Sequence, residues 1–139
     1  MNAQLNSDVI ALNARVQQFI AQPRKVLIDG RWVAAKSGET FDVFNPASGQ
    51  RIAAAAACEA ADVDAAVAAA RKAFDTGPWP RMSPSQRGKI IWKIGDLIQE
   101  NLEELAQLES LDNGKPIVVA RAADVPLAAD LFHYMAGWA

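Results

Sequence analysis

One cysteine and one histidine in 139 residues set the first limits. A single cysteine closes no intrachain disulfide, and one Cys with one His cannot furnish a zinc site. Any nucleophile that needs an imidazole base would have to find His133. Charge is nearly balanced, with 14 basic and 16 acidic residues for a net −2, so there is no basic footprint for nucleic acid. No apolar run reaches the length of a membrane span, and the N-terminus lacks a basic-then-apolar export signal. The lone thiol fits a reducing compartment, with the cytoplasm as the expectation. Neither G-x-G-x-x-G nor G-x-x-x-x-G-K-[ST] occurs, so no glycine loop that cradles phosphate is encoded.

What is present points to a globular chain: 51% apolar and 22% charged, long enough for one ordinary domain. The dominant stretch is 83–116. Ser83, Pro84 and Gln86 form an S-x-x-Q capping box with proline at the first helical position. Ile90, Ile94, Leu97, Ile98, Leu102, Leu105 and Leu108 recur at three- and four-residue steps. Asn113-Gly114 and Pro116 supply the stop. This predicts a single amphipathic helix of roughly 40 Å, longer than a small domain needs. The chain ends on AGWA with no polar tail, which reads as an interrupted terminus.

Upstream, residues 1–24 read as a helical arm. Ser7 is the expected cap, Val9, Leu12, Val16, Phe19 and Ile20 form a stripe, and Pro23 ends it. Such an arm either packs on its own chain or clasps a neighbouring subunit. KVLIDGRWVAA predicts a hairpin turning at Asp29-Gly30, and a strand follows over 40–44. Asn45-Pro46-Ala47-Ser48-Gly49-Gln50 is a turn, and 51–57 is a strand despite its alanines. Residues 62–74 form a helix with Val63, Ala66, Val67, Ala70 and Phe74 on one face and a weak cap at Glu59. Trp79 anchors a proline-rich loop. A third helical stretch opens at Pro116, and Pro126 should kink it near Asp124-Val125 before it resumes over 127–135.

Few residues point to chemistry. His133, between Phe132 and Tyr134, reads as a packing or surface residue, and Cys58 as a small buried side chain rather than a nucleophile. Glu103-Glu104 and Asp62/Asp64 read as solvated faces. The helix stop explains Gly114, Pro116 and a dipole-compensating Lys115. It leaves Asp112 unexplained, because a negative charge near a helix C-terminus is unfavourable; a cation or a specific donor is implied.

Taken together, IDGRWVAAKSGETFDVFNPASGQRIA, ADVDAAVAAARKAFDTGPWPRMSPSQRGKIIWKIGDLIQENLEELAQLESLDNGKP and YMAGWA resemble the N-terminal part of NAD(P)-dependent aldehyde dehydrogenases, in that family's order and spacing. The resemblance implies an α/β fold: β-hairpin strands followed by three helices, the third kinked, flanking a Rossmann-like cofactor domain. Residues 25–139 would be an incomplete N-terminal segment of the cofactor-domain region. It also implies oxidation of an aldehyde to the acid through a thiohemiacetal on a cysteine, hydride passing to NAD or NADP, and a glutamate activating water. In the family's order these groups and the nucleotide site come later, so no catalytic or cofactor-binding residue is expected in this chain, and Cys58 does not match the nucleophile's motif. What carries over is peripheral: Val43, Phe44 and Asp112 as oxygen donors to a monovalent cation, and Leu127 on the wall of the substrate tunnel. His133 stands where many relatives carry arginine. The resemblance further implies other subunits, as a homodimer or homotetramer, and a chain inactive by itself. The alternative is a truncated, non-enzymatic paralogue that binds and modulates full-length subunits, with the long helix and the arm as contact surfaces.

Overall fold

The computed structural model describes residues 11–139. Helix α1 (Ala14–Ile20) begins at Asn13, whose Oδ1 accepts the Val16 N–H at 2.9 Å. This corrects the expected start at Ser7: Leu12 precedes the helix, while Ser7 and Val9 lie outside the described residues. Asparagine is among the strongest caps, and a helix entered at Asn13 has no need of an earlier one. Val16 is fully buried, a contribution of about 2 kcal/mol for a side chain of this size. The Asn13 N–H donates to Gln107 Oε1 at 2.9 Å, and Arg15 donates to Asn101 Oδ1 at 2.9 Å. The described part of the arm therefore packs on its own chain.

Two antiparallel hairpins follow. Strands β1 (Val26–Ile28) and β2 (Arg31–Val33) place Ile28 opposite Arg31. The two residues between them, Asp29 and Gly30, have φ of 50° and 74°, the positive values that a tight hairpin turn demands. Strands β3 (Thr40–Phe44) and β4 (Arg51–Ala56) are joined by the Asn-Pro turn, in which Asn45 Oδ1 accepts the Ala47 N–H at 2.9 Å. Their register is irregular between Val43 and Phe44. Alanine-rich β4 holds as a strand because context overrides propensity. Ala53 and Ala54 are buried, and Arg24 pairs along the strand's other edge, donating to Ala54 O at 2.8 Å and accepting from the Ala56 N–H at 2.9 Å.

Helix α2 (Ala60–Thr76) reverses one expectation. Asp62 is no solvated face: it is 3% exposed and accepts the N–H of Glu59 at 3.0 Å and of Lys36 at 2.9 Å. These bonds, the one from Glu59 foremost, hold its carboxyl below the usual aspartate range. One carboxylate thus closes the α2 N-terminus and ties down the loop after β2. Beyond α2, Trp79 begins a single 3-10 turn (Trp79–Arg81) and stays 41% exposed, so it anchors that loop only in part.

The predicted single long helix is two. Helix α3 (Pro84–Glu100) starts with the expected box, Ser83 N–H to Gln86 Oε1 at 2.9 Å and Gln86 N–H to Ser83 Oγ at 3.3 Å. It breaks at Asn101, where φ is −110° and ψ 23°, and α4 (Leu102–Asn113) continues. The Asn101 amide donates to Leu97 O at 2.8 Å. A short polar side chain that competes with the backbone in this way bends a helix.

After Gly114, one turn of helix, α5 (Ile117–Val119), runs into a π-helical segment (Ala120–Asp124) and then α6 (Val125–Ala136). The kink expected from Pro126 takes this π form. Proline donates no N–H to the carbonyl four residues back, and the Val125 N–H bonds Ala120 O, five residues back. Ala106, Ala120 and Val125 form a core cluster, with Ile98, Leu102, Leu105 and Ile117 packed around it.

Replacing Asp62 with alanine strands two backbone donors, so its urea midpoint at pH 7 should fall below wild type. Because the carboxyl is depressed in the fold, its contribution is complete above the ordinary aspartate pKa of about 3.9 and is lost as pH falls through the lower folded value. The gap between the two proteins should therefore close on acidification, which equilibrium unfolding at a series of pH values reads directly.

Candidate functional site

Helix α6 has two unlike faces. Toward α3 it turns Ala129, buried, and the half-buried His133 and Ala136. A β-carbon built on Gly95 of α3 would lie 2.4 Å from His133 Cδ2 and 2.9 Å from Ala129 O, and one on Gly88 would lie 2.7 Å from Ala136 O. Only glycine at these two positions admits α6 so closely. The His133 ring stacks on Trp92, centroids 4.3 Å apart at 26°, and its Nε2 lies 3.1 Å from Asp96 Oδ1. The expectation of a packing role for His133 holds, with a carboxylate partner added.

The opposite face of α6 is apolar and open. Leu127 is 64% exposed, and Leu131, Tyr134 and Trp138 continue the row at four-, three- and four-residue steps, all of them exposed. The Tyr134 and Trp138 rings are 6.2 Å apart. Leu127 alone was singled out from the sequence. Leu131 and Tyr134 follow from the same i, i+4, i+7 spacing within 127–135, and Trp138 lies just beyond the end of α6.

The π segment that sets the direction of α6 is clamped at both ends. Arg121 donates two bonds to Glu103, Nε–Oε2 at 2.7 Å and Nη2–Oε1 at 2.8 Å. The Arg121 guanidinium, helped by the Gln107 amide, holds the Glu103 carboxyl down to about 2. Glu103 is thus a tie and not an idle surface charge. Lys115 Nζ lies 2.6 Å from Asp124 Oδ2, and that carboxylate pushes the ammonium pKa up. Lys115 was expected to offset the α4 dipole; it reaches across to the π segment instead.

The turn after α4 meets the turn after β3. Gly114 has φ 76°, and a β-carbon there would come within 3.0 Å of Pro46 Cγ. Asp112 is exposed, two residues before that contact, and Val43 and Phe44 lie at the end of β3, just before the Asn-Pro turn. Among the described residues no cluster of three or more His, Cys, Asp and Glu side chains exists. Cys58 is exposed, not buried as expected, because it sits in the connection between β4 and α2. His133, on α6, bonds Asp96 rather than the thiol.

The profile of the aldehyde dehydrogenase family matches residues 32–139. The chain belongs to the aldehyde dehydrogenase family. It is 46% identical over 115 residues to aldehyde dehydrogenase family 2 member B4, mitochondrial, of Arabidopsis thaliana, covering 83% of this chain and 21% of that one. It is 47% identical over 115 residues to the mitochondrial benzaldehyde dehydrogenase of Antirrhinum majus, covering 83% and 22%. Among solved structures, the NAD+ complex of aldehyde dehydrogenase from Bacillus cereus superposes with a TM-score of 0.89 at 44% identity, covering 91% of this chain and 26% of that one. The chain thus spans about a quarter of the length of its relatives, their N-terminal quarter, and its hairpins and helices are the N-terminal part of the aldehyde dehydrogenase fold. No helix of this aldehyde dehydrogenase chain, among the described residues, is long and apolar enough to cross a membrane.

Gly114→Ala tests the meeting of the two turns. An L-residue in the left-handed region costs about 1–2 kcal/mol, and Pro46 must also give way. A lowered thermal midpoint is expected, with the largest NMR shifts at Pro46, Ala47 and Lys115. Shifts confined to α4 would show that the turns do not depend on each other.

Proposed function

We propose that this chain is the N-terminal portion of an NAD(P)-dependent aldehyde dehydrogenase, which oxidises an aldehyde to the carboxylic acid, and that the 139 residues alone are inactive. The observation that carries the reading is the likeness, at 44% identity and a TM-score of 0.89, to an aldehyde dehydrogenase solved with NAD+. NAD or NADP would serve as hydride acceptor. The described residues do not fit that group, because no strand here leads through a glycine-rich turn into a helix.

What this chain contributes is a wall and a brace. The row from Leu127 to Trp138 would line the substrate tunnel, and its apolar, aromatic character favours an apolar or aromatic aldehyde. α3 stands behind that wall. The cation reading rests on Asp112 with the carbonyls of Val43 and Phe44: a carboxylate and backbone oxygens suit a hard monovalent ion. The irregular register between Val43 and Phe44 and the contact of Gly114 with Pro46 support it. Residues 1–24 would form the arm and 25–139 the start of the cofactor-domain region. The whole protein would act in the cytoplasm as a homodimer or homotetramer. The alternative, a non-enzymatic module acting on full-length subunits, draws support from the same exposed apolar surface.

Purified chain incubated with NAD or NADP and a panel of aliphatic and aromatic aldehydes should form no reduced nucleotide above a blank. Turnover would refute the assignment of inactivity. For the cation, the thermal midpoint should be higher in potassium chloride than in tetramethylammonium chloride of equal ionic strength, and Asp112→Asn should abolish the difference. Equal midpoints in the wild type would remove Val43, Phe44 and Asp112 as donors.

A further inference from the structure

Close packing through glycine fixes how near two helices approach. It does not by itself say what holds one rotated about its axis or slid along the other: beside Gly88 and Gly95 lie the Ala136 and Ala129 carbonyls, and over Gly95 lies the His133 ring. The segment entering α6 adds freedom. A π turn holds one more residue than an α turn, so the rotation of α6 does not follow from that of α5. Yet the row Leu127, Leu131, Tyr134 and Trp138 presents one face only while that rotation holds. A slip of one residue turns a helix by about 100°, which would carry the row to the side of the helix.

Among the described residues, α3 and α6 share one directional side-chain bond, His133 Nε2 to Asp96 Oδ1 at 3.1 Å. It is well supported. The imidazole stacks on Trp92, one turn before Asp96, and the His133 side chain is 17% exposed against 38% for Asp96. Ring plane and ring nitrogen are thus held by two α3 residues four apart, which fixes both the rotation and the height of α6 at that point. Of the two contacts the bond alone is directional, and the stacked ring supports it.

We propose that His133, held by Asp96 and Trp92, is the positioning residue that sets the rotation of α6 and so aims the Leu127–Trp138 face. His133 does not touch that face; it acts through the helix. The relevance to substrate rests on the tunnel-wall reading under Proposed function, whereas the rotational lock stands on the geometry alone, so its test uses no substrate.

The four tryptophans serve as reporters: Trp92 at the lock, Trp138 on the aimed face, Trp32 on β2 and Trp79 in the 3-10 turn before α3. The full 139-residue chain is labelled with 5-fluorotryptophan and its fluorine resonances assigned by single Trp→Phe replacements. His133→Phe keeps the stacked ring and loses the bond; Asp96→Ala removes the acceptor; His133→Gln restores an N–H donor of similar reach. In both His133→Phe and Asp96→Ala the Trp138 resonance should move by more than its linewidth while Trp32 and Trp79 stay in place, and His133→Gln should return Trp138 to its wild-type position. A Trp138 resonance that stays put in Asp96→Ala overturns the proposal. So does failure of His133→Gln to restore it, since the stacked ring alone would then be responsible. Collapse of all four resonances in Asp96→Ala, a change at a part-exposed site, would make the bond a support of the whole fold and overturn a role confined to aiming α6.

Discussion

The architecture depends on how closely α6 lies against α3. Gly88 and Gly95, seven residues apart and so on one side of α3, leave no room for a β-carbon, and carbonyls of α6 occupy the space instead. Everything downstream of α3 inherits that approach. Ala129 is buried by it, His133 is brought to Asp96 and Trp92, and the larger α6 side chains are left to face outward. Dispersion between closely spaced backbones is individually small and collectively large, so a contact built of glycine and alanine holds without a bulky core.

That approach requires a particular exit from α4, and the π segment supplies it. Pro126 cannot donate to the carbonyl four residues back, and Val125 bonds Ala120, five back. A π turn in a helix is an unfavourable conformation that persists where its surroundings hold it. Here two ion pairs do so from the α4 side: Glu103 with Arg121 near the segment's start and Lys115 with Asp124 at its end. Glu103, read from the sequence as a solvated charge, and Lys115, read as an offset to the helix dipole, are clamps of this π turn.

Much of this was legible in the residues, in proportion to how local the cause is. The Asp29-Gly30 hairpin, the Ser83 capping box, the Asn-Pro turn and the break at Pro126 each follow from the dihedral or hydrogen-bond demands of two or three neighbouring residues. What was misread depends on residues far apart. Asp62 became a buried double acceptor because Lys36, 26 residues away, brings its N–H there. The bend at Asn101 accompanies a bond from Arg15, 86 residues away. The isoleucine and leucine stripe of α3 gives no sign of the side that meets α6, which two glycines mark. Glycine has no hydrophobicity to register in a periodicity, only an absence of volume that matters once a second helix arrives. The Asp112 anomaly and the Leu127 assignment came from electrostatics and from family likeness, and periodicity would have extended Leu127 to Leu131 and Tyr134.

The distribution of side-chain size inverts the usual order and says what kind of element this is. Among the described residues, six of the nine buried apolar ones are alanines. Many large ones stay open on separate surfaces: Ile90, Ile94 and Leu97 on α3, Val63, Val67 and Phe74 on α2, Leu127, Leu131 and Tyr134 on α6, with Trp138 just past its end. A body that buries its own core places its large side chains inward, because burial stabilises in proportion to area. Small residues inside with large residues on several outer faces describe a layer whose internal contacts are close and whose main apolar area is offered to material on either side. A chain spanning about a quarter of its relatives has room for that material in the family's fold. The aim of α6 then matters more than its contribution to stability, since a layer acts through the faces it presents.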